Sequence, residues 1–228
     1  MHGSRDEILE NLAMIRARIA RGAETAGRDP DEVTVVAAAK TVPLEAVLWV
    51  ADEGLRAIGH NYVKELREMH GAVPDARWHF IGTLQTNTAH HVAALADVVE
   101  TVAGAHATER LARRAAAAHR LVDVLIEVDF TGARPGVPPE AVRSFADRVA
   151  SLEGVSLCGL MTLPPLPTDV EEARGWFRQL AALRDRVRET HPEVVELSMG
   201  MSLDYEVAVE EGATIVRIGT ALFGPRAA

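Results

Sequence analysis

Eight apolar runs of five to eight residues recur along this chain, each separated from the next by a segment of helical spacing. They occupy residues 33–40, 57–61, 78–82, 98–102, 122–129, 155–162, 194–199 and 214–219. The runs are continuously apolar, as strands covered on both faces are. The segments between them predict helices over residues 43–52, from 62 to about 71, 86–95, 106–119, 139–152, 169–190 and 203–210. Strands alternating with helices argue for a parallel sheet. Eight such units in 228 residues predict an α/β fold, a single compact (β/α)8 TIM barrel spanning residues 1–228 as one domain. An open doubly wound sheet is the competing architecture. It usually has fewer strands, and no G-x-G-x-x-G follows the first run. Ahead of the strands, Ile8, Leu12, Ile15 and Ile19 recur at helical spacing, so an extra N-terminal helix within residues 1–27 is expected to pack on the barrel. Residues 162–169, TLPPLPTD, read as a rigid loop after the sixth strand, not a linker.

Composition narrows the function. The net charge is −9 and no basic run occurs, which argues against nucleic acid or an anionic membrane as partner. No apolar stretch approaches the ~18 residues of a membrane span. The polar, amphipathic N-terminus does not read as a signal peptide. The lone cysteine, Cys158, permits no disulfide within the chain, and His79, His90 and His91 match no metal-ligand spacing. A cytoplasmic monomer without a metal is expected. Of 24 basic residues only Lys40 and Lys64 are lysines. Arginine cannot be deprotonated in proteins and so cannot serve as a nucleophilic amine, whereas lysine can once its pKa is lowered. Lys64 stands on a helix near Glu65 and Glu68 and reads as solvated, which leaves Lys40.

In a barrel of this type the active site lies at the C-terminal ends of the strands. Lys40 ends the first run and Asn61 the second. His79 lies in the third. Met161 and Thr162 end the sixth, Ser198, Met199, Gly200, Met201 and Ser202 form the turn after the seventh, and Arg217, Gly219 and Thr220 end the eighth. Side chains alternate along a strand, so Val36, Ala38 and Lys40 share one face, as do Ile215, Arg217 and Gly219. Small residues in the seventh and eighth loops, SMGMS and RIGTALFG, let backbone N–H groups approach an anion, and a helix starting near Leu203 would add its positive end. A lysine at the mouth opposite a phosphate cradle suggests an aldehyde cofactor with a phosphate tail, and pyridoxal phosphate fits. Its ring nitrogen needs a protein partner, and Arg217 is placed for that role. The other reading of Arg217 is an ion pair with a buried carboxylate such as Asp204 or Glu206.

Six motifs in order carry a resemblance: VVAAAKTVP around Lys40, IGHNYVKE around Asn61, WHFIGTLQTN from Trp78, GLMTLPP from Gly159, LSMGMSLDYEVAVEEG from Leu197 and TIVRIGTALFG from Thr214. With them the chain resembles the YggS/PROSC family of pyridoxal phosphate homeostasis proteins, which look like the barrel domain of alanine racemase, a fold-type III barrel. The resemblance implies that pyridoxal 5'-phosphate is covalently bound to Lys40 as a Schiff base and that Arg217 faces the pyridine nitrogen. It also implies that Ser198 to Ser202 with Gly219 and Thr220 hold the phosphate, and that Asn61 and Met161 line the ring site. His79 is expected in the barrel core or beside the ring. Three features depart from the family pattern: His60 where Glu is usual, Thr88 where a lysine is usual, and a short loop after the fifth strand, DFTGARPG.

The resemblance implies storage and delivery of the cofactor, with apo pyridoxal-phosphate enzymes as partners and no defined catalytic reaction. The alternative is an amino-acid racemase or lyase. Two-base racemisation needs a second acid–base group opposite the lysine. In alanine racemase that group comes from an additional domain, which is not expected in a chain that ends directly after its eighth strand. Neither tyrosine, Tyr62 or Tyr205, replaces it by motif.

Overall fold

The computed structural model describes residues 3–73, 75–165 and 168–225. Leu166 and Pro167 of the proline-dense loop, and the extreme ends of the predicted domain, lie outside the described residues. Eight parallel strands close into a barrel in sequence order, β1 pairing with β8. They are β1 (Thr34–Ala38), β2 (Ala57–His60), β3 (Arg77–Phe80), β4 (Val98–Val102), β5 (Val122–Val128), β6 (Val155–Thr162), β7 (Glu196–Ser198) and β8 (Ile215–Ile218). The helices are α1 (Arg5–Thr25), α2 (Leu44–Asp52), α3 (Val63–Met69), α4 (Ala89–Leu95), α5 (Ala105–Ala117), α6 (Val142–Ala150), α7 (Val170–Arg188), α8 (Tyr205–Glu210) and α9 (Thr220–Phe223). The predicted (β/α)8 barrel with an extra N-terminal helix is therefore the observed fold.

Several ends differ from the sequence-based expectation. The first strand stops at Ala38 and Lys40 stands in the turn beyond it, where Thr41 adopts φ 61°. A β-branched residue rarely occupies that left-handed region. Asn61, Gly82 and Gly219 likewise lie just past their strands, because the chain leaves the ladder as it turns toward the helix layer. Helix α8 begins at Tyr205 instead of Leu203, and the four-residue α9 was not expected.

Two apolar layers hold the barrel. The outer one lies between strands and helices and includes Ala37, Ile58, Phe80, Val99, Ile126, Leu160, Leu197 and Val216. The inner one fills the barrel with Val36, Ala57, Val98, Leu125, Met161 and Ile215. Alternation along each strand assigns the layers: Ala37 faces the helices and Val36 the interior. Helix α1 begins with a capping box, in which Ser4 Oγ accepts from the Glu7 N–H and Glu7 Oε2 accepts from the Ser4 N–H. It buries Ile8, Leu12, Ile15 and Ile19. Arg18 Nε pairs with Glu206 Oε2 on α8 at 2.8 Å, and Asn11 Nδ2 donates to the Leu222 carbonyl of α9. The helix thus covers the flank where β8 meets β1.

Candidate functional site

A cavity of about 550 Å³ opens at the C-terminal mouth of the barrel, lined by Ala38, Asn61, Ile81, Leu163, Met201, Ser202, Leu203, Asp204, Arg217, Gly219, Thr220 and Ala221. Its volume lies in the ~300–1,000 Å³ range of small-molecule sites. One wall is built by the loops after β7 and β8, which are tied together. Ser202 Oγ accepts from the Ala221 N–H at 3.1 Å, the Gly200 carbonyl accepts from the Arg217 N–H at 3.0 Å, and Asp204 Oδ1 accepts from the Met201 N–H at 2.7 Å. The opposite wall holds Asn61, whose Nδ2 donates to the Ile81 carbonyl at 3.3 Å. Gly82 is needed there, since a Cβ would lie 2.0 Å from the Asn61 carbonyl oxygen.

Six predicted site residues line this cavity: Asn61, Met201, Ser202, Arg217, Gly219 and Thr220. Lys40 stands beside it, in a small recess shared with Ala38, Val42, Gly219, Thr220, Phe223 and Gly224, its Nζ 5.1 Å from the centre of the Tyr62 ring. Ala38, Gly219 and Thr220 border both spaces. Met161 belongs to the apolar layer inside the barrel. Met199 faces the outer core, and its N–H is bonded to the Ile215 carbonyl. Gly200 adopts φ +92° and packs against α8. His79 and Ser198 are buried in the barrel interior. Lys64 is 85 % exposed at its side chain and 3.9 Å from Glu68, as the sequence suggests.

Arg217 pairs with neither carboxylate anticipated for it by hydrogen bonding. Glu206 faces α1, and Asp204 acts on the guanidinium through charge. Arg217 Nη1 donates to Ser198 Oγ and lies 3.7 Å from Glu100 Oε2, while Nη2 donates to the Thr162 carbonyl at 2.9 Å. Burial pushes the guanidinium pKa down, and the charges of Glu100, Asp204 and Glu127 oppose that push. Glu100 and Glu127 diverge. Burial pushes the Glu100 carboxyl up, but the hydrogen bond and charge of His79, the charge of Arg217 and the Ser198 hydroxyl together hold it below its ordinary value. For Glu127 burial prevails over Arg134 and Arg217, and its carboxyl is raised. Sequence reasoning missed both residues. The signal was a lone acid within an apolar run, in VVETV and in VLIEV.

The closed barrel with its added N-terminal helix defines a class, the barrels of the alanine racemase N-terminal domain. The model of the alanine racemase N-terminal domain matches residues 6–227. The Clostridium difficile alanine racemase shares this fold at TM-score 0.76 and 14 % identity, with the present chain covering 60 % of its length. Within that class the chain belongs to the pyridoxal phosphate homeostasis protein family. It is 39 % identical to the Aquifex aeolicus pyridoxal phosphate homeostasis protein over 95 % of this chain and 97 % of that one. It is 34 % identical to the Escherichia coli K12 protein of the same name over 97 % of both. PipY of Synechococcus elongatus PCC7942, solved with pyridoxal phosphate bound, superimposes with a TM-score of 0.84 at 31 % identity, covering 95 % of this chain and 100 % of that one. The Aquifex aeolicus and Escherichia coli relatives are named for homeostasis and not for a reaction. No described helix is long and apolar enough to cross a membrane.

Proposed function

We propose that the protein binds pyridoxal 5'-phosphate in the cavity at the barrel mouth, tethers it to Lys40 as a Schiff base, and stores and delivers it to apo enzymes in the cytoplasm. The observation that carries this reading is the convergence at one cavity of a buried arginine, two hydroxyl-bearing loops and an adjacent lysine. Ala38, Ile81, Leu163 and Leu203 offer apolar walls to a flat ring. Ser202 and Thr220, with the backbone around Gly219, suit a phosphate. Arg217 suits a pyridine nitrogen, and its permanent charge disfavours protonation of that nitrogen. The cofactor supplies an aldehyde that condenses with an amine. Lys40, whose Nζ lies by the Tyr62 ring beside the border formed by Ala38, Gly219 and Thr220, would supply the amine, with release of one water.

A two-base racemase would need a second acid–base group facing Lys40. Tyr62 is the nearest tyrosine, but it is 52 % exposed and turns its ring face to the amine, an arrangement better suited to holding a cation than to exchanging a substrate proton.

The test of delivery is transfer. The loaded protein, freed of unbound cofactor, is mixed with the apo form of a pyridoxal-phosphate enzyme whose regained activity is followed. Activity is expected to return as the carrier loses its visible absorption, and Lys40→Ala should release its cofactor during the preceding removal step. Cofactor that stays on the carrier while the apo enzyme remains inactive would refute delivery.

A further inference from the structure

Beneath the cavity a chain of polar side chains crosses the barrel. Glu100 on β4 is fully buried, with none of its surface exposed. A carboxylate in such a place is costly unless both oxygens are partnered. Here Oε1 lies 2.6 Å from His79 Nδ1 on β3, and Oε2 accepts from the Ser198 hydroxyl on β7 at 2.5 Å. Ser198 Oγ in turn accepts from Arg217 Nη1 on β8. The second arm of the guanidinium is fixed by the Thr162 carbonyl at the end of β6. Five strands thus contribute to the chain, and Arg217 is the member that reaches the cavity lining.

The direction of these bonds has a consequence. A serine hydroxyl carries one hydrogen. When that hydrogen is committed to Glu100, the oxygen presents its lone pairs to Arg217. A neutral amide at position 100 would remove the charge assistance from the Ser198 hydrogen bond and would leave the buried guanidinium without its nearest counter-charge. Glu127 and Asp204 contribute charge around Arg217, but the hydrogen-bonded chain runs to Glu100.

We propose that Glu100 is the positioning residue of the cofactor site: it fixes the Ser198 hydroxyl, and through it the direction and charge balance with which Arg217 meets the cofactor ring. This rests on the reading that pyridoxal phosphate occupies the cavity. Glu100 does not line the cavity, and the hydrogen-bonded route from it to the cavity runs through Ser198 and Arg217.

The experiment compares the wild type with E100Q, S198A and the double variant, each purified, stripped and titrated with pyridoxal phosphate. The absorption maximum of the bound cofactor and the Kd are measured, and melting without cofactor reports on folding. E100Q is expected to shift the absorption maximum and weaken binding about tenfold, the scale of a charge-assisted contact. S198A should move both quantities the same way by less. The double variant should be no worse than E100Q, because the two residues act as one unit. Should E100Q fail to fold, S198A, which removes one atom, decides alone by the same two readouts. Folded variants with the wild-type absorption maximum and Kd overturn the role of Glu100 while leaving the cofactor site standing. An additive double variant overturns action through Ser198. A wild type that takes up no pyridoxal phosphate overturns both the site and this inference.

Discussion

At the scale of single residues, His60 is the sharpest test of how burial governs this barrel. It stands on the outer side of β2 with none of its surface exposed, stacked 6.0 Å from Trp78. Neither ring nitrogen makes a hydrogen bond among the described residues, and Glu65 Oε2 at 3.6 Å is too distant for one. Burial therefore pushes the imidazole from 6.5 to about 4. The folded pKa is below the unfolded one, so the unfolded chain takes up the proton first. The contribution of His60 is complete above pH 6.5 and is lost as pH falls toward 4, amounting to about 3 kcal/mol. Denaturant unfolding across that window should show the loss, and His60→Leu should flatten it. Glu100, also lowered, keeps a residual acid-side loss in that variant. An unchanged pH slope in His60→Leu would contradict the burial account. The sequence exposed His60 as a departure from the family pattern but not its burial, since the packing of β2 against Trp78 is a property of register. Lys40 and Arg217 stood out in the sequence because each lies near the C-terminal end of an apolar run. Glu100 was not, because its partners His79 and Ser198 come from strands 21 and 98 positions away.

At the scale of elements, the alternation of apolar runs and helical segments carried nearly all of the fold into the sequence. What it did not carry were the strand ends and α9. Both are decided where the chain exchanges ladder hydrogen bonds for turns, and a four-residue helix shows too little periodicity to be read. The turn after β7 illustrates what sets such an end. Gly200 adopts φ +92°, and a Cβ there would lie 2.5 Å from the Ala208 Cβ and 2.9 Å from the Tyr205 Cα. Gly200→Ala combines backbone strain with a collision against α8 and should destabilise by about 2–4 kcal/mol. Gly212 has a similar φ, +97°, but a Cβ there would meet only Leu197 Cδ1, at 3.8 Å. Gly212→Ala should therefore cost about 1–2 kcal/mol, the conformational part alone. Thermal melting of the two variants separates the terms, and equal losses would show that contact with α8 contributes nothing. Because Gly200 also accepts the Arg217 N–H, its variant should weaken cofactor binding as well.

At the scale of the whole molecule, the barrel interior carries an apolar set of side chains and a polar set. Val36, Leu125, Met161 and Ile215 supply the first, and His79, Glu100, Ser198 and Arg217 the second. Arg217 of the polar set lines the cavity at the mouth, and Lys40 stands beside that cavity. The family is that of pyridoxal phosphate homeostasis proteins, and Lys40 is the point on which the proposed tether depends. The composition makes that point easy to examine, since Lys64 is the only other lysine. The measurement is borohydride reduction of the protein loaded with pyridoxal phosphate, followed by peptide mass mapping. The account predicts reduced cofactor on the peptide containing Lys40, none on the peptide containing Lys64, and no stable adduct in Lys40→Ala. Cofactor found on Lys64, or a Lys40→Ala variant labelled as fully as the wild type, would contradict it.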